Sequence, residues 1–353
     1  MDGYEKKFTD VNKLGEFGLI EKLTSEFTNR QESTMFGIGD DAAVLKYGKE
    51  HLVVSTDMLV EGIHFDLMYS PLKHLGYKAV VVNLSDIYAM NAIPKQITVS
   101  IALSSKFSVE ALEELYRGIK EACRVYNVDL IGGDTTSSPR GLTISVTAIG
   151  KAKAKSITYR SGAKKGDIIC ITGDLGSAYL GLQILEREKQ LYVSNPGIQP
   201  DLENEKYLLE RQLKPEARKD SIAYLAKEGV IPTSMIDISD GLASDLMHIC
   251  KASNVGAYIE EAKVPIKDEA QLMAIKFQLD PITTALNGGE DYELLFTINE
   301  KDLEKIRYMP SVYIIGEITN QEDGITLHTT GGNIHPLKAQ GWNHFDEHDA
   351  NQN

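Results

Sequence analysis

Positive charge is in short supply. Against 51 Asp and Glu the chain has only 37 Lys and Arg, leaving a formal charge of −14. A polynucleotide partner needs clustered cations to neutralise its phosphates, so nucleic-acid binding is set aside. Cysteine is scarce as well: Cys123, Cys170 and Cys250 sit in apolar or helix-like contexts without a CxxC spacing, which reads as buried, reduced thiols. No run of 18 apolar residues occurs, and the opening MDGYEKKFTD has no apolar signal-peptide core. No membrane partner is therefore expected, and the expected location is cytoplasmic. The short motifs of familiar sites are absent too. There is no GxxxxGK[ST], no kinase HRD or DFG, and no GxSxG.

What is present is a chain of 353 residues, longer than one hydrophobic core usually organises, so two domains are expected. Apolar residues at helical spacing predict helices over 14–27, 71–91, 108–127, 176–190 and 240–253. Ser108 is placed to cap the third of these, the most amphipathic. Strands are expected at 51–58, 96–103, 128–134, 142–150, 167–173 and 234–239, and again in YELLFTI, VYIIGEI and GITLHT. A helix-like KDLEKIR lies between the first two of those three. The basic, alanine-rich stretch 151–167 is the best linker candidate, and Asn195-Pro196-Gly197 marks a surface loop. Strands and helices interleave on both sides of that stretch. The expected fold class is α/β (α+β), with domains over 1–150 and 151–353 and a polar tail from about 346.

Several aspartates share one context, an apolar strand or turn followed by Asp and a small residue. Asp40 and Asp41 do so in GIGDDAAV, Asp57 in VVSTDM, Asp134 in LIGGDTT, and Asp237 and Asp240 in MIDISDGL. Asp86 lies within the helical VVVNLSDIYAM, where an unpaired charge would be costly. Taken singly, each such residue is ordinary turn, cap or surface chemistry. As a set they are too many for the nearby cations to pair. Oxygen ligands without His or Cys clusters suit a hard cation, Mg²⁺ rather than Zn²⁺. A centre of carboxylates and Mg²⁺ generally holds phosphates, because the metal bridges both kinds of anion.

GIGDDAAV, STDMLVEGIHF, AVVVNLSDIYAMNAIP, LIGGDTT, TYRSGAKKGD, DISDGLASDL, GGEDYELLF and GWNHF follow one another over residues 14–346. In that order they resemble the thiamine-monophosphate kinase family, within the superfamily of aminoimidazole ribonucleotide synthetase and selenophosphate synthetase. The resemblance implies transfer of the γ-phosphoryl of ATP onto thiamine monophosphate, several Mg²⁺ ions, and a homodimer joined through the sheets of the N-terminal domains. It implies a metal shell of Asp40, Ser55, Thr56, Asp57, Asp86, Asp134, Asp237 and Asp240, with Asp41 behind Asp40. It places Tyr116, Gly133, Asp134, Arg160 and Ser239 at ATP, and His64, Glu290 and Trp342 at the thiamine phosphate. Two alternatives stay open. One is another ATP-using synthetase of the superfamily, although no cysteine precedes Cys123 to serve selenophosphate synthesis. The other is a protein that binds nucleotide or divalent ions without catalysis.

Overall fold

The computed structural model describes residues 15–25, 29–197, 199–200 and 202–339. Its first half comprises α1 (Gly15–Thr24), β1 (Thr34–Phe36), β2 (Ala43–Tyr47), β3 (Glu50–Val60), α2 (Leu72–Ala89), β4 (Ile93–Leu103), α3 (Val109–Tyr126), β5 (Asp129–Ser137) and β6 (Leu142–Lys153). These strands form one sheet in the order β1-β2-β3-β6-β4-β5. All neighbours are antiparallel except β4 and β5. That parallel pair is joined through α3, a connection long enough to carry the chain back to the same edge.

Alternation along β6 buries Leu142, Ile144, Val146 and Ala148 on one face, and α2 packs over it. Ser108 caps α3 by accepting the Ala111 N–H at 3.2 Å, and Asn127 ends the helix in the left-handed conformation. Helices α2 and α3 cross at two glycines. A Cβ on Gly76 would lie 2.0 Å from the Leu115 carbonyl oxygen, and one on Gly118 would lie 1.8 Å from that of Lys73.

The second half runs β7 (Ile168–Thr172), α4 (Ser177–Ser194), α5 (Lys206–Leu213), α6 (Lys219–Glu228), β8 (Ser234–Ile238), α7 (Leu242–Ser253), β9 (Gly256–Glu260), α8 (Asp268–Lys276), α9 (Pro281–Asn287), β10 (Glu293–Ile298), α10 (Leu303–Ile306), β11 (Val312–Thr319), β12 (Ile325–His328) and β13 (Ile334–Pro336). Its sheet is ordered β13-β12-β9-β11-β7-β10-β8, antiparallel except between β9 and β12. The interleaved pattern thus stands, although within each sheet the strands pair mostly antiparallel.

Strands β7, β8 and β10 are buried on both faces. Ile169, Ile171, Ile236, Ile238 and Leu295 face α7 and α9. Cys170, Met235, Leu294 and Phe296 face the other way, into a cluster that also holds Leu84, Ile87, Leu115 and Ile119 of α2 and α3. One core therefore serves both halves. The stretch expected to be a linker is no solvated tether either, because Ile157, Thr158 and Ala163 within it are buried.

Candidate active site

Three strand or helix ends deliver carboxylates to one point. The turn before β2 brings Asp41, α2 brings Asp86, and the end of β8 brings Asp237. One oxygen from each lies within 4.8 Å of the others. Ser55 of β3 donates to the Asp86 carboxylate at 2.5 Å, and the Asp57 N–H donates to Asn83 Oδ1 of α2 at 2.9 Å. Arg160 enters from the supposed linker. Its guanidinium donates to Asp41 Oδ1 from Nη2 at 2.5 Å and from Nε at 3.0 Å, while its backbone N–H donates to Asp40 Oδ2 at 3.0 Å. Asp41 Oδ2 is buried and has no hydrogen-bond partner among the described residues.

The electrostatics follow from this crowding. Burial first, and then the charges of Asp57, Asp237 and Asp41, hold the Asp86 carboxyl well above the usual range. Burial and Asp41 push Asp237 up to about 8. Asp40 rises to about 7, again through burial and its neighbour Asp41. Burial also raises Asp41, opposed by Arg160. Behind them the buried Asp245 of α7 is raised by burial and by Asp240 and Asp237, and its Oδ2 too has no partner among the described residues. Burial works against the charge of Arg160, yet the carboxylates of Asp41, Asp40 and Asp237 raise its pKa overall. A single guanidinium facing this many buried carboxylates leaves an excess of negative charge. An oxygen-only donor set with an unpartnered buried carboxylate oxygen fits a hard divalent cation.

Not every expected residue joins this point. Asp57 and Val146 are register partners, so Ser55 and Asp57 share the face covered by α2. Thr56 points to the opposite face, where it bonds the Val146 carbonyl at 3.0 Å and Thr147 at 3.1 Å. Asp134 pairs with Ser100 on that same opposite face. It is on β5, three strands from β3, or about 14 Å at ordinary strand spacing. Gly133 brings β5 close to β4, since a Cβ there would lie 1.8 Å from the Val99 carbonyl oxygen. Tyr116 packs against the core from the middle of α3. Ser239 and Asp240 lie two and three residues beyond Asp237, and the Ser239 carbonyl accepts the Glu290 N–H at 2.7 Å.

That last bond joins the acidic centre to a second group of side chains. Glu290 has a positive φ of 64°, in a loop pressed so close to Ser239 that a Cβ on Gly289 would lie 2.4 Å from the Ser239 carbonyl oxygen. Its carboxylate accepts from Lys78 Nζ at 2.8 Å and from Gln212 Nε2 at 2.7 Å. Lys78 and Gln212 in turn line a cleft with His64, Phe65 and Tyr69. The His64 ring is oriented by the Val60 N–H, which donates to Nδ1 at 3.1 Å. His64 and Glu290, distant in sequence, are thus brought to one region. Trp342 lies outside the described residues.

Sequence reasoning missed Lys78, Asn83, Gln212 and Asp245. Lys78 carried a signal nonetheless: a lone lysine within the apolar LGYKAVVV is costly to bury without a designated partner.

Comparison with known proteins fits this architecture. The AIR synthase related protein N-terminal domain matches residues 39–152, and the AIR synthase related protein C-terminal domain matches residues 164–328. Thiamine-monophosphate kinase of Buchnera aphidicola subsp. Schizaphis graminum is 39% identical over 344 residues, covering 94% of this chain and 99% of that protein. Thiamine-monophosphate kinase of Bacillus subtilis is 34% identical over 342 residues, 94% of this chain and 100% of that protein. A solved structure of AaThiL complexed with AMPPCP and TMP superposes with a TM-score of 0.81 at 32% identity, covering 96% and 99% of the two chains.

Proposed function

The chain belongs to the AIR synthase related family and, within it, to the thiamine-monophosphate kinases, and from that premise we propose how its residues carry out the reaction. The reaction is ATP-dependent phosphorylation of thiamine monophosphate to thiamine diphosphate. The acceptor is a phosphate monoester whose second pKa, about 6, leaves it largely ionised at neutral pH. It arrives as a nucleophile, so the protein needs neither a catalytic base nor a nucleophile of its own. What opposes reaction is the repulsion between two polyanions, and catalysis reduces to positioning and charge compensation.

The observation that carries this reading is the convergence of Asp41, Asp86 and Asp237 within 4.8 Å beside Ser55, Asp57 and Arg160. These carboxylates would hold Mg²⁺, whose positive charge would offset the repulsion facing the acceptor. Asp40, Asp41, Ser55, Asp57, Asp86, Asp237 and Asp240 are the residues we assign to that shell, Asp41 offering Oδ2 while its Oδ1 holds Arg160 beside it. Arg160 and Ser239 flank the phosphates, and His64 and Glu290 hold the acceptor. Gly133, Asp134 and Tyr116 stand apart from this point in one chain. We assign them to ATP on the resemblance alone, together with Thr56 as a backbone contributor to the shell.

A homodimer joined through the N-terminal sheets is part of the same proposal. It is supported by β5, exposed along its whole length, and by exposed Met58, Ile93, Leu130 and Ile131 on that sheet. The division into domains at about residue 150 is likewise proposed. The described residues include no helix long and apolar enough to cross a membrane.

Incubation with ATP, Mg²⁺ and thiamine monophosphate tests the assignment directly. We expect thiamine diphosphate and ADP in equal amounts, and Asp86→Asn to lower the rate about 100-fold or more with the fold intact. ADP without thiamine diphosphate, or a fully active folded Asp86→Asn, would refute it.

A further inference from the structure

The acceptor region contains a polar group that the phosphate chemistry does not call for. Lys78 is a buried lysine, its side chain 5% exposed, in the middle of α2. Its ammonium donates to Glu290 Oε2 at 2.8 Å and to the Gln212 carbonyl oxygen at 3.1 Å. Gln212, on α5, donates from Nε2 to the same Oε2 at 2.7 Å. Two donors from two different helices thus converge on one oxygen of Glu290. The carboxylate partner also settles the amide's orientation, because only its nitrogen can donate. Glu290 itself is 27% exposed and sits at a φ that a glutamate seldom adopts.

A lysine buried this deeply pays a desolvation cost that surface packing would not require. A loop built only to turn the chain would gain nothing from it. A clamp on one oxygen does gain something: it fixes the plane of the carboxylate and directs the second oxygen. The spacing along α2 is informative as well. Lys78 and Asp86 are eight residues apart, so about 12 Å of rigid helix separates the clamp from the acidic centre. Both ends of an elongated acceptor, a ring system and a phosphate, would be referenced to one helix.

We infer that Lys78 and Gln212 are positioning residues that lock Glu290 in the orientation reading the hydrogen-bond donors of the acceptor's ring system. The inference rests on Glu290 belonging to the acceptor pocket, and the experiment separates the two claims. Lys78→Met and Gln212→Leu keep volume and remove the clamp, and Lys78→Arg keeps a cation. Glu290→Gln tests the underlying assignment.

Steady-state kinetics with each substrate varied in turn should show KM for thiamine monophosphate rising about tenfold or more in Lys78→Met and in Gln212→Leu. KM for ATP should stay within about twofold, and Lys78→Arg should recover part of the loss. In the Glu290→Gln background, Lys78→Met should add little, because the group it positions is already altered. If Glu290→Gln leaves KM for thiamine monophosphate unchanged, the pocket assignment fails. If Glu290→Gln raises it while Gln212→Leu does not, or if the effects simply add, the clamp fails and the pocket stands. Gln212→Leu carries the test should Lys78→Met not fold.

Discussion

At the scale of single residues, the acidic centre is defined by carboxyls that the fold makes reluctant to ionise. Asp40 rises to about 7 and Asp237 to about 8, from an unfolded value of 3.8. Between those values the folded chain holds protons that the unfolded chain has already released. Stability contributed by these groups is therefore full below about pH 4 and falls as pH climbs through 7 and 8. A divalent cation on the same oxygens favours the ionised form and should remove that penalty. Thermal unfolding in chelator should accordingly show a midpoint that drops between about pH 5.5 and 8.5, and Mg²⁺ should raise the midpoint more at about pH 8.5 than at about 5.5. A midpoint in chelator that climbs over that range would contradict the account. Most of these aspartates were legible in the sequence, because they follow or interrupt an apolar run, whereas Asp245, buried behind them in α7, was not. Which of them meet was not. Thr56 and Asp57 are neighbours in the chain, yet strand alternation sends them to opposite faces.

At the scale of elements, α2 links the two regions of the site, and its seat depends on the glycine crossing with α3. Gly118→Ala would place a Cβ 1.8 Å from the Lys73 carbonyl oxygen, an overlap that only a shift of one helix relieves. We expect a loss of about 1–3 kcal/mol in stability, read as a lower thermal midpoint, together with a weaker response to Mg²⁺ as Asp86 moves. An unchanged midpoint would show that the crossing is not so close.

Both of these helices were readable, α3 from its apolar stripe and Ser108, α2 from the apolar spacing over 71–91. Helices α5 and α6 were not, since they are short and follow a polar loop, and α5 is the element that supplies Gln212. Strand β9 has five residues and owes its place to β11 and β12, partners far along the chain that no local pattern reveals. For the same reason the order of strands and helices implied two layered halves without disclosing that their sheets are mainly antiparallel.

At the scale of the whole molecule, the two halves share a core and the site lies where they meet. Lys78 and Asp86 come from one half, Asp237 and Glu290 from the other, and Tyr77 and Tyr126 bind Glu216 across the same boundary. Such a framework can hold two phosphorylated substrates against each other while leaving the chemistry to them. The central claim is therefore that phosphoryl passes from ATP to thiamine monophosphate in one in-line displacement, with no protein group as an intermediate carrier. The most direct test is the stereochemical course at phosphorus, using ATP made chiral at the γ-position with oxygen isotopes. The account predicts thiamine diphosphate with inverted configuration at the transferred phosphorus. Retention would contradict it, since two successive displacements through a phosphorylated side chain restore the original hand.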